Sequence, residues 1–363
     1  MNGSRGFAWF AVCCVMAQEV ATAEPILLKD MMGHTVELAG PVRKSVTIPL
    51  PASSLFMALD GGSAHLAGMN PRAYQHMQNG ILRKIFPSAL KIRHDITRSG
   101  FAPNVETLLE INPDLIWQWG HMGDDLLTPL HEAGLPVAAL LYGDERRTHE
   151  WVRLMGAALG KPERAQTLLD WRERTEKQIR AITNRIPQHA RPRVLLLSRY
   201  RPEYRVAGAE SNFNFDVTLA GGVNVAAASG GSGRPVNIEQ LMEWNPQIIL
   251  LNNFETDLSP EMIYADPLWS DIQAVRERRV YKIPAGGYFW DPPSQDSPLH
   301  WQWLSMIAHP AQFKWPLRAR IAEAYRLLYQ YDPSPQDIDT VLHVNMNKAS
   351  RGYERFRDSA ASR

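Results

Sequence analysis

Two stretches of the chain repeat one order of apolar and polar positions. Residues 104–117 read NVETLLEINPDLIW, and residues 237–250 read NIEQLMEWNPQIIL. Asn104 corresponds to Asn237, Glu106 to Glu239, Leu108 to Leu241 and Glu110 to Glu243. Asn112-Pro113 corresponds to Asn245-Pro246, and Ile116 to Ile249. In each copy an acidic first turn precedes apolar residues at helical spacing. An Asn-Pro pair then breaks the helix, and an apolar run of strand length follows. A helix–turn–strand unit used twice predicts two lobes of one design, with a cleft between them where a ligand would sit.

The flanking pattern extends this division. Residues 26–38 read as a hairpin turning at Gly33, 46–50 as a strand, and 53–59 as a helix closed by Asp60-Gly61-Gly62. A strand near 66–68, the first repeat, a loop over 118–125, a helix ending at Ala133-Gly134 and a strand over 137–141 complete an N-terminal lobe, residues 24–149. Such alternation predicts an α/β fold with a mostly parallel sheet covered on both faces. Residues 150–186 predict two linker helices. The first, 150–159, gathers Trp151, Leu154, Met155 and Ala158 on one face; the second, 163–186, contains neither Gly nor Pro. At about 1.5 Å per residue the second is a rod of roughly 35 Å, a stiff connection unlike a Gly/Ser-rich linker. The C-terminal lobe, 187–331, opens with a strand over 194–197 and ends in a closing helix over 315–331. Residues 332–363 read as a polar tail with one amphipathic stretch over 338–341 and a frayed end.

The first residues change the picture of where the chain works. Arg5, an apolar stretch from Phe7 to Ala17, and Ala21-Thr22-Ala23 before Glu24 form a secretory signal, residues 1–23, cleaved near Ala23. Cys13 and Cys14, the two cysteines of the chain, both fall within it. The mature chain is therefore expected to hold no disulfide, thiolate metal site or thiol nucleophile. Phe10-Ala11-Val12 lacks the small residue that lipidation requires, so a soluble periplasmic protein is expected. Lys and Arg number 39 against 38 Asp and Glu, a net charge of +1 that cleavage leaves unchanged. Neither nucleic acid nor a membrane surface is indicated as a partner. No G-x-S-x-G, H-E-x-x-H or Walker motif is present, and the 11 histidines are scattered; no catalytic residue is assigned and an enzyme is not expected.

Together the signal sequence, N-x-E-x-L-x-x-x-x-P-(D/Q)-x-I in both lobes, Ala133-Gly134-Leu135-Pro136-Val137 before a strand, and the rigid linker make the chain similar to a known family. It resembles the periplasmic substrate-binding proteins of ABC importers for iron–siderophore complexes, haem and cobalamin, from Ile26 to about Tyr331. The resemblance implies two Rossmann-like lobes bridged by one long helix, closing only slightly on a ligand held by aromatic and Arg side chains. It also implies one acidic residue per lobe that docks on arginines of the membrane permease. The matching positions are Glu106 and Glu239. A carboxylate in a helix's first turn is favoured by the helix dipole as well, and both roles can hold together.

In open α/β sheets ligands sit beyond the carboxyl ends of the strands, which singles out four loops. The first is Arg98-Ser99-Gly100-Phe101. The second is Gln118 to Met122, where Trp117 and Trp119 alternate and Trp119 is taken as the ligand contact; His121 is not assigned to a metal. The third comprises Arg199-Tyr200-Arg201, from which Tyr200 is taken, and Gly230 to Arg234. Arg234 mirrors Arg98 ahead of the repeat, suggesting a paired basic clamp on an anion. The fourth is Gly286 to Pro293, whose Tyr288 and Trp290 offer flat faces at low entropic cost.

These readings lead to a monomeric binding protein without a cofactor that captures a metal chelate, with a ferric siderophore first, and delivers it to an ABC importer permease. Within the same fold an oxyanion such as molybdate or tungstate, or haem or cobalamin, is the alternative. A bare-metal receptor would need histidines such as His65, His76, His121 and His300 to converge, and an exported two-lobed enzyme is the remaining class.

Overall fold

Both copies of the repeated motif fold as the same unit. Helix Val105–Ile111 ends at Asn112 (φ 48°), and helix Ile238–Trp244 ends at Asn245 (φ 39°). Each Asn takes the left-handed C-cap position and donates its backbone N–H to the fourth residue back, Leu108 or Leu241. Asparagine tolerates this conformation better than most residues, and the following Pro cannot prolong the helix. The chain then enters a strand buried on both faces, Leu115–Trp119 or Ile248–Leu251. The structure, a computed structural model, describes residues 25–358; the expected signal segment, with Cys13 and Cys14, lies outside the described residues.

The strands of the N-terminal lobe are β1 (Ile26–Lys29), β2 (Thr35–Leu38), β3 (Ser45–Thr47), β4 (Leu66–Met69), β5 (Thr97–Ser99), β6 (Ala102–Pro103), β7 (Leu115–Trp119) and β8 (Val137–Leu140). β1 and β2 form the hairpin expected at Gly33, and β5 and β6 a second one. The other four make an all-parallel sheet in the order β4-β3-β7-β8. The C-terminal lobe contributes β9 (Arg193–Arg199), β10 (Tyr204–Val206), β11 (Val223–Asn224), β12 (Arg234–Val236), β13 (Ile248–Leu251) and β14 (Val280–Lys282). Their order is β12-β10-β9-β13-β14, with β11 beside the start of β9. β9, β13 and β14 are parallel, whereas β10 and β12 are antiparallel additions. Each repeat strand is central: β7 lies between β3 and β8, and β13 between β9 and β14.

The sheets bury side chains on both faces, as parallel sheets covered by helices must. Leu195 and Leu197 of β9 enter the outer core of the C-terminal lobe with Ile249 and Trp269, while Val194 and Leu196 face the main core. That main core runs from Phe56 and Trp117 of the first lobe through Met155 and Leu169 of the linker to Trp301, Trp303 and Tyr325. The linker is two helices, Glu145–Ala158 and Pro162–Thr183. The first begins five residues before the apolar pattern suggests, because the Asp144 carboxylate caps it by accepting from Arg147 N at 3.1 Å. The second, 22 residues long, spans about 33 Å. The end of the chain is held down rather than frayed as far as it is described: Tyr353 and Phe356 are buried, and Tyr353 Oη receives the indole N–H of Trp303 at 3.2 Å. Among the described residues no helix is long and apolar enough to cross a membrane.

Candidate ligand-binding cleft

The carboxyl ends of the parallel strands in both sheets open onto one cavity of about 500 Å³. From the N-terminal lobe come Leu50 and Pro51 after β3, Arg72 after β4, Trp119 at the end of β7, and Tyr142 after β8. From the C-terminal lobe come Ser198 and Arg199 at the end of β9, Arg205 on β10, Asn252 and Phe254 after β13, and Tyr288 and Asp291 after β14. Ligands of open α/β sheets occupy this position, and the volume suits a drug-sized molecule.

Trp119 closes the floor on the N-terminal side and is only 5 % exposed. Its neighbour Gln118 fixes the strand end: Gln118 Nε2 donates to Phe101 O at 2.9 Å, and Trp119 N donates to Gln118 Oε1 at 2.8 Å. The indole packs edge-on to Phe101 and His121. Trp117, two residues earlier on the same face of β7, is fully buried and donates its indole N–H to Ser45 Oγ at 3.0 Å. Both rings join the main core, and Trp119 alone reaches the cavity because it stands at the carboxyl end of the strand. Tyr288 is presented by a tight turn. A Cβ at Gly287 would lie 1.8 Å from Tyr329 Oη, so only glycine fits there. Tyr288 N donates to Asp296 Oδ2 at 3.2 Å. Burial pushes the Asp296 carboxyl up to about 6.

The charges of the cleft are three guanidinium groups against one carboxylate. Arg72 and Arg199 stand on opposite lobes, and neither guanidinium has a hydrogen-bond or ion-pair partner among the described residues. Arg205 is tied through Nη1 to Gly233 O at 2.8 Å and through Nη2 to Glu203, while its Nε is buried without a partner. Trp119 Nε1 and Ser198 Oγ are likewise buried and unpartnered. Buried donors of this kind are costly unless something accepts from them. Asp291 is half-buried. Burial raises its carboxyl to about 6, against the lowering effects of an Asn253 hydrogen bond and the Lys282 charge. Burial in turn lowers Lys282 to about 8, and its ammonium donates to Asn252 O and Glu255 O at 2.6 and 2.7 Å.

Of the residues singled out from the sequence, Trp119 and Tyr288 line this cavity, and Arg98, Tyr200, Arg234 and Trp290 do not. Arg98 on β5 and Arg234 on β12 are exposed and lie outside the cavity wall. Each precedes its repeat helix and so sits at that helix's amino end. The paired basic groups are instead Arg72 and Arg199. Arg199 belongs to the Arg199-Tyr200-Arg201 loop that the sequence pattern marks; Arg72 follows the helix-starting Asn70-Pro71, where no pattern points to a ligand. Tyr200 packs against Tyr204 and Trp269 and donates to Asp266 Oδ2. It lines a separate open depression of about 850 Å³ together with Glu239. Trp290 is 1 % exposed and belongs to the main core. Glu106 and Glu239 are both exposed in the first turns of the two repeat helices. Among the described residues no group of three or more His, Cys, Asp or Glu is arranged to hold a metal ion. His65 is bound to Asp60, and His300 is buried beside Trp303.

Known proteins share this architecture. A periplasmic solute binding protein from Veillonella parvula superposes with a TM-score of 0.82 at 29 % identity, over 90 % of this chain and 99 % of that one. The molybdate-binding protein MolA of Haemophilus influenzae is 21 % identical over 256 residues, 64 % of this chain and 72 % of its own. Its molybdate-bound structure superposes with a TM-score of 0.74 at 19 % identity, over 85 % of this chain and 99 % of that one. The iron(3+)-hydroxamate-binding protein FhuD of Bacillus subtilis is 21 % identical over 210 residues, 55 % of this chain and 65 % of its own. The periplasmic binding protein family matches residues 97–286, just over half of the 363-residue chain and both copies of the repeat. By this match, and by the two-lobed fold with its interlobe cavity, the chain belongs to the periplasmic binding protein family, the solute-capturing components of ABC transporters.

Proposed function

We propose that the protein captures an anionic metal chelate of the siderophore class in the periplasm and hands it to the permease of an ABC importer. The observation that carries this reading is the pair of unpartnered guanidiniums, Arg72 and Arg199, on opposite walls of one aromatic cavity. Arginine suits carboxylate and other planar anions through its fork of donors. The buried donors Trp119 Nε1 and Arg205 Nε, with Ser198 Oγ, favour a ligand rich in acceptor oxygens. The rings of Trp119, Tyr142, Phe213, Phe254 and Tyr288 supply an apolar surface that a small inorganic ion would leave unused. Phe254, 52 % exposed in the free protein, is covered only if a bulky ligand reaches it. Binding is reversible, with no chemical step. Glu106 and Glu239 would then seat the loaded protein on the permease.

The likeness to MolA favours a second reading, a molybdate receptor with the same cleft. Titration of the mature protein followed by tryptophan fluorescence separates the two, since Trp119 lines the cavity. Saturable quenching by a ferric hydroxamate, catecholate or citrate complex below about 1 µM supports chelate capture. Quenching by molybdate alone moves the function to oxyanion uptake; haemin and cobalamin are tested in the same series.

A further inference from the structure

Asp291 is out of place in a cleft built for an anion. The segment that carries it is constrained, running from the buried Trp290 into Pro292-Pro293, so its backbone is fixed at the cavity wall. It accepts a hydrogen bond from Asn253 Nδ2 at 3.3 Å. Asn253 is itself anchored, donating to Ile283 O and Pro284 O at 3.0 and 3.2 Å. Among the described residues no cleft arginine forms an ion pair with Asp291, and the Lys282 ammonium is turned to two backbone carbonyls. A carboxylate held in the wall and left without a cationic partner repels an anion in that cavity, unless the anion brings a hydrogen-bond donor to it.

We infer that Asp291 is the selectivity residue of the cleft: it accepts a hydrogen bond from an N–H or O–H group of the ligand and rejects bare oxyanions. Molybdate at neutral pH carries acceptors only. Facing Asp291 it meets repulsion with no compensating bond, whereas its oxygens would be welcome at Arg72, Arg199 and Arg205. An organic chelate with both anionic groups and amide or hydroxyl donors satisfies both kinds of wall. Discrimination by an acceptor that the bound ligand covers is strong because the wrong ligand leaves that group unpaired. This inference rests on the reading of the cleft as a chelate site.

The test compares the wild-type protein with Asp291→Asn, which is isosteric and uncharged, by calorimetric titration with two probes at pH 7.5. The first is sodium molybdate. The second is ferric aerobactin, an anionic chelate with free carboxylates and amide N–H groups. The expected result is opposite shifts: molybdate tightens by about tenfold in the variant and ferric aerobactin weakens by about tenfold. Asp291→Ser repeats the measurement should the first variant unfold. Any pattern other than opposite shifts overturns the inference. If both probes bind both proteins with unchanged ranking, the inference falls and the chelate cleft stands. If neither probe binds either protein, the cleft reading falls with it.

Discussion

Arg172 and Glu145 form a bidentate ion pair at the junction of the two lobes. Arg172 Nε donates to Glu145 Oε1 at 2.5 Å and Nη2 to Oε2 at 2.7 Å, while Nη1 donates to Ser294 O at 2.6 Å. Arg172 is 2 % exposed and lies on the second linker helix; Glu145 begins the first, three residues after the cleft residue Tyr142. Ser294 follows the Pro-rich segment that carries Asp291. One guanidinium thus ties the linker to a cleft loop of each lobe, and its plane also lies over Trp301. Removing one partner strands a buried charge, which costs about 3–5 kcal/mol, whereas replacing both by apolar residues of like size costs far less. Arg172→Met is therefore expected to lower urea-unfolding stability by that amount. Arg172→Met combined with Glu145→Leu is expected to recover most of it, and a double variant as unstable as the sum of two singles would contradict the pairing.

Arg72 and Arg199 are expected to matter for ligand and not for folding. Both are exposed and unpartnered among the described residues, so truncating either removes no internal bond. Each Ala variant should keep its thermal midpoint and weaken the anionic ligand by about tenfold, since a charge-assisted hydrogen bond contributes roughly 1.5–3 kcal/mol. Titration calorimetry reads the loss. Because the two sit on different lobes, the double variant also tests whether both walls grip one ligand: losses that add indicate that they do.

The architecture is legible in the sequence where one local rule dominates. The Asn-Pro breaks define both repeat helices and the central strands behind them. The period of two along β7, by contrast, puts Trp117 and Trp119 on one face, and only the place of Trp119 at the strand's carboxyl end brings it to the cavity. The cleft is harder to read because its residues meet only through the fold. The symmetric spacing of Arg98 and Arg234 marks the amino ends of two helices, on the same side as the strand ends that face the ligand, yet both side chains are exposed outside the cavity wall. In the segment 286–293 a single turn sends Tyr288 to the cavity and Trp290 into the core, and no periodicity in an irregular loop encodes that choice. Asp291 reads as a turn residue before Pro-Pro. Its environment, set by Asn253 and Lys282 from other parts of the sheet, has no local signature.

Glu106 and Glu239 supply a transport prediction. Both carboxylates are exposed on equivalent first turns, outside the cavity, and have no side-chain partner among the described residues. Replacing both by Gln should leave ligand affinity unchanged within about twofold, because the substituted groups do not line the cavity. Uptake of labelled chelate into cells or permease-containing vesicles should fall at least about tenfold if they dock on basic permease residues. A fall in affinity would instead place them in the ligand site.

The contact between the lobes contains an acid-sensitive group, His76. It lies on helix Pro71–Asn79, edge-on to Tyr288 and Phe289 with ring centroids 5.1 and 4.3 Å away. Burial lowers its pKa to about 4; hydrogen bonding with Gly286 and Gly287 raises it in part, and His343 lowers it further. In the unfolded chain an imidazole titrates near about 6.5. The unfolded state therefore takes up the proton first as pH falls. The stability that His76 contributes is whole above about pH 6.5 and is lost progressively toward pH 4, up to about 3 kcal/mol. Asp291 and Asp296, both raised to about 6 by burial, act in the opposite sense, gaining stability as they protonate below pH 6. His343 and His300, lowered by burial to about 4 and about 3, act in the same sense as His76, so the wild-type protein should lose stability on moving from pH 7 to pH 5. His76→Phe keeps the ring packing and removes one of these acid-destabilising groups. Its thermal midpoint should therefore rise relative to wild type on moving from pH 7 to pH 5. Parallel midpoints for the two proteins across that interval would show that the imidazole is not buried against the Tyr288 loop in solution.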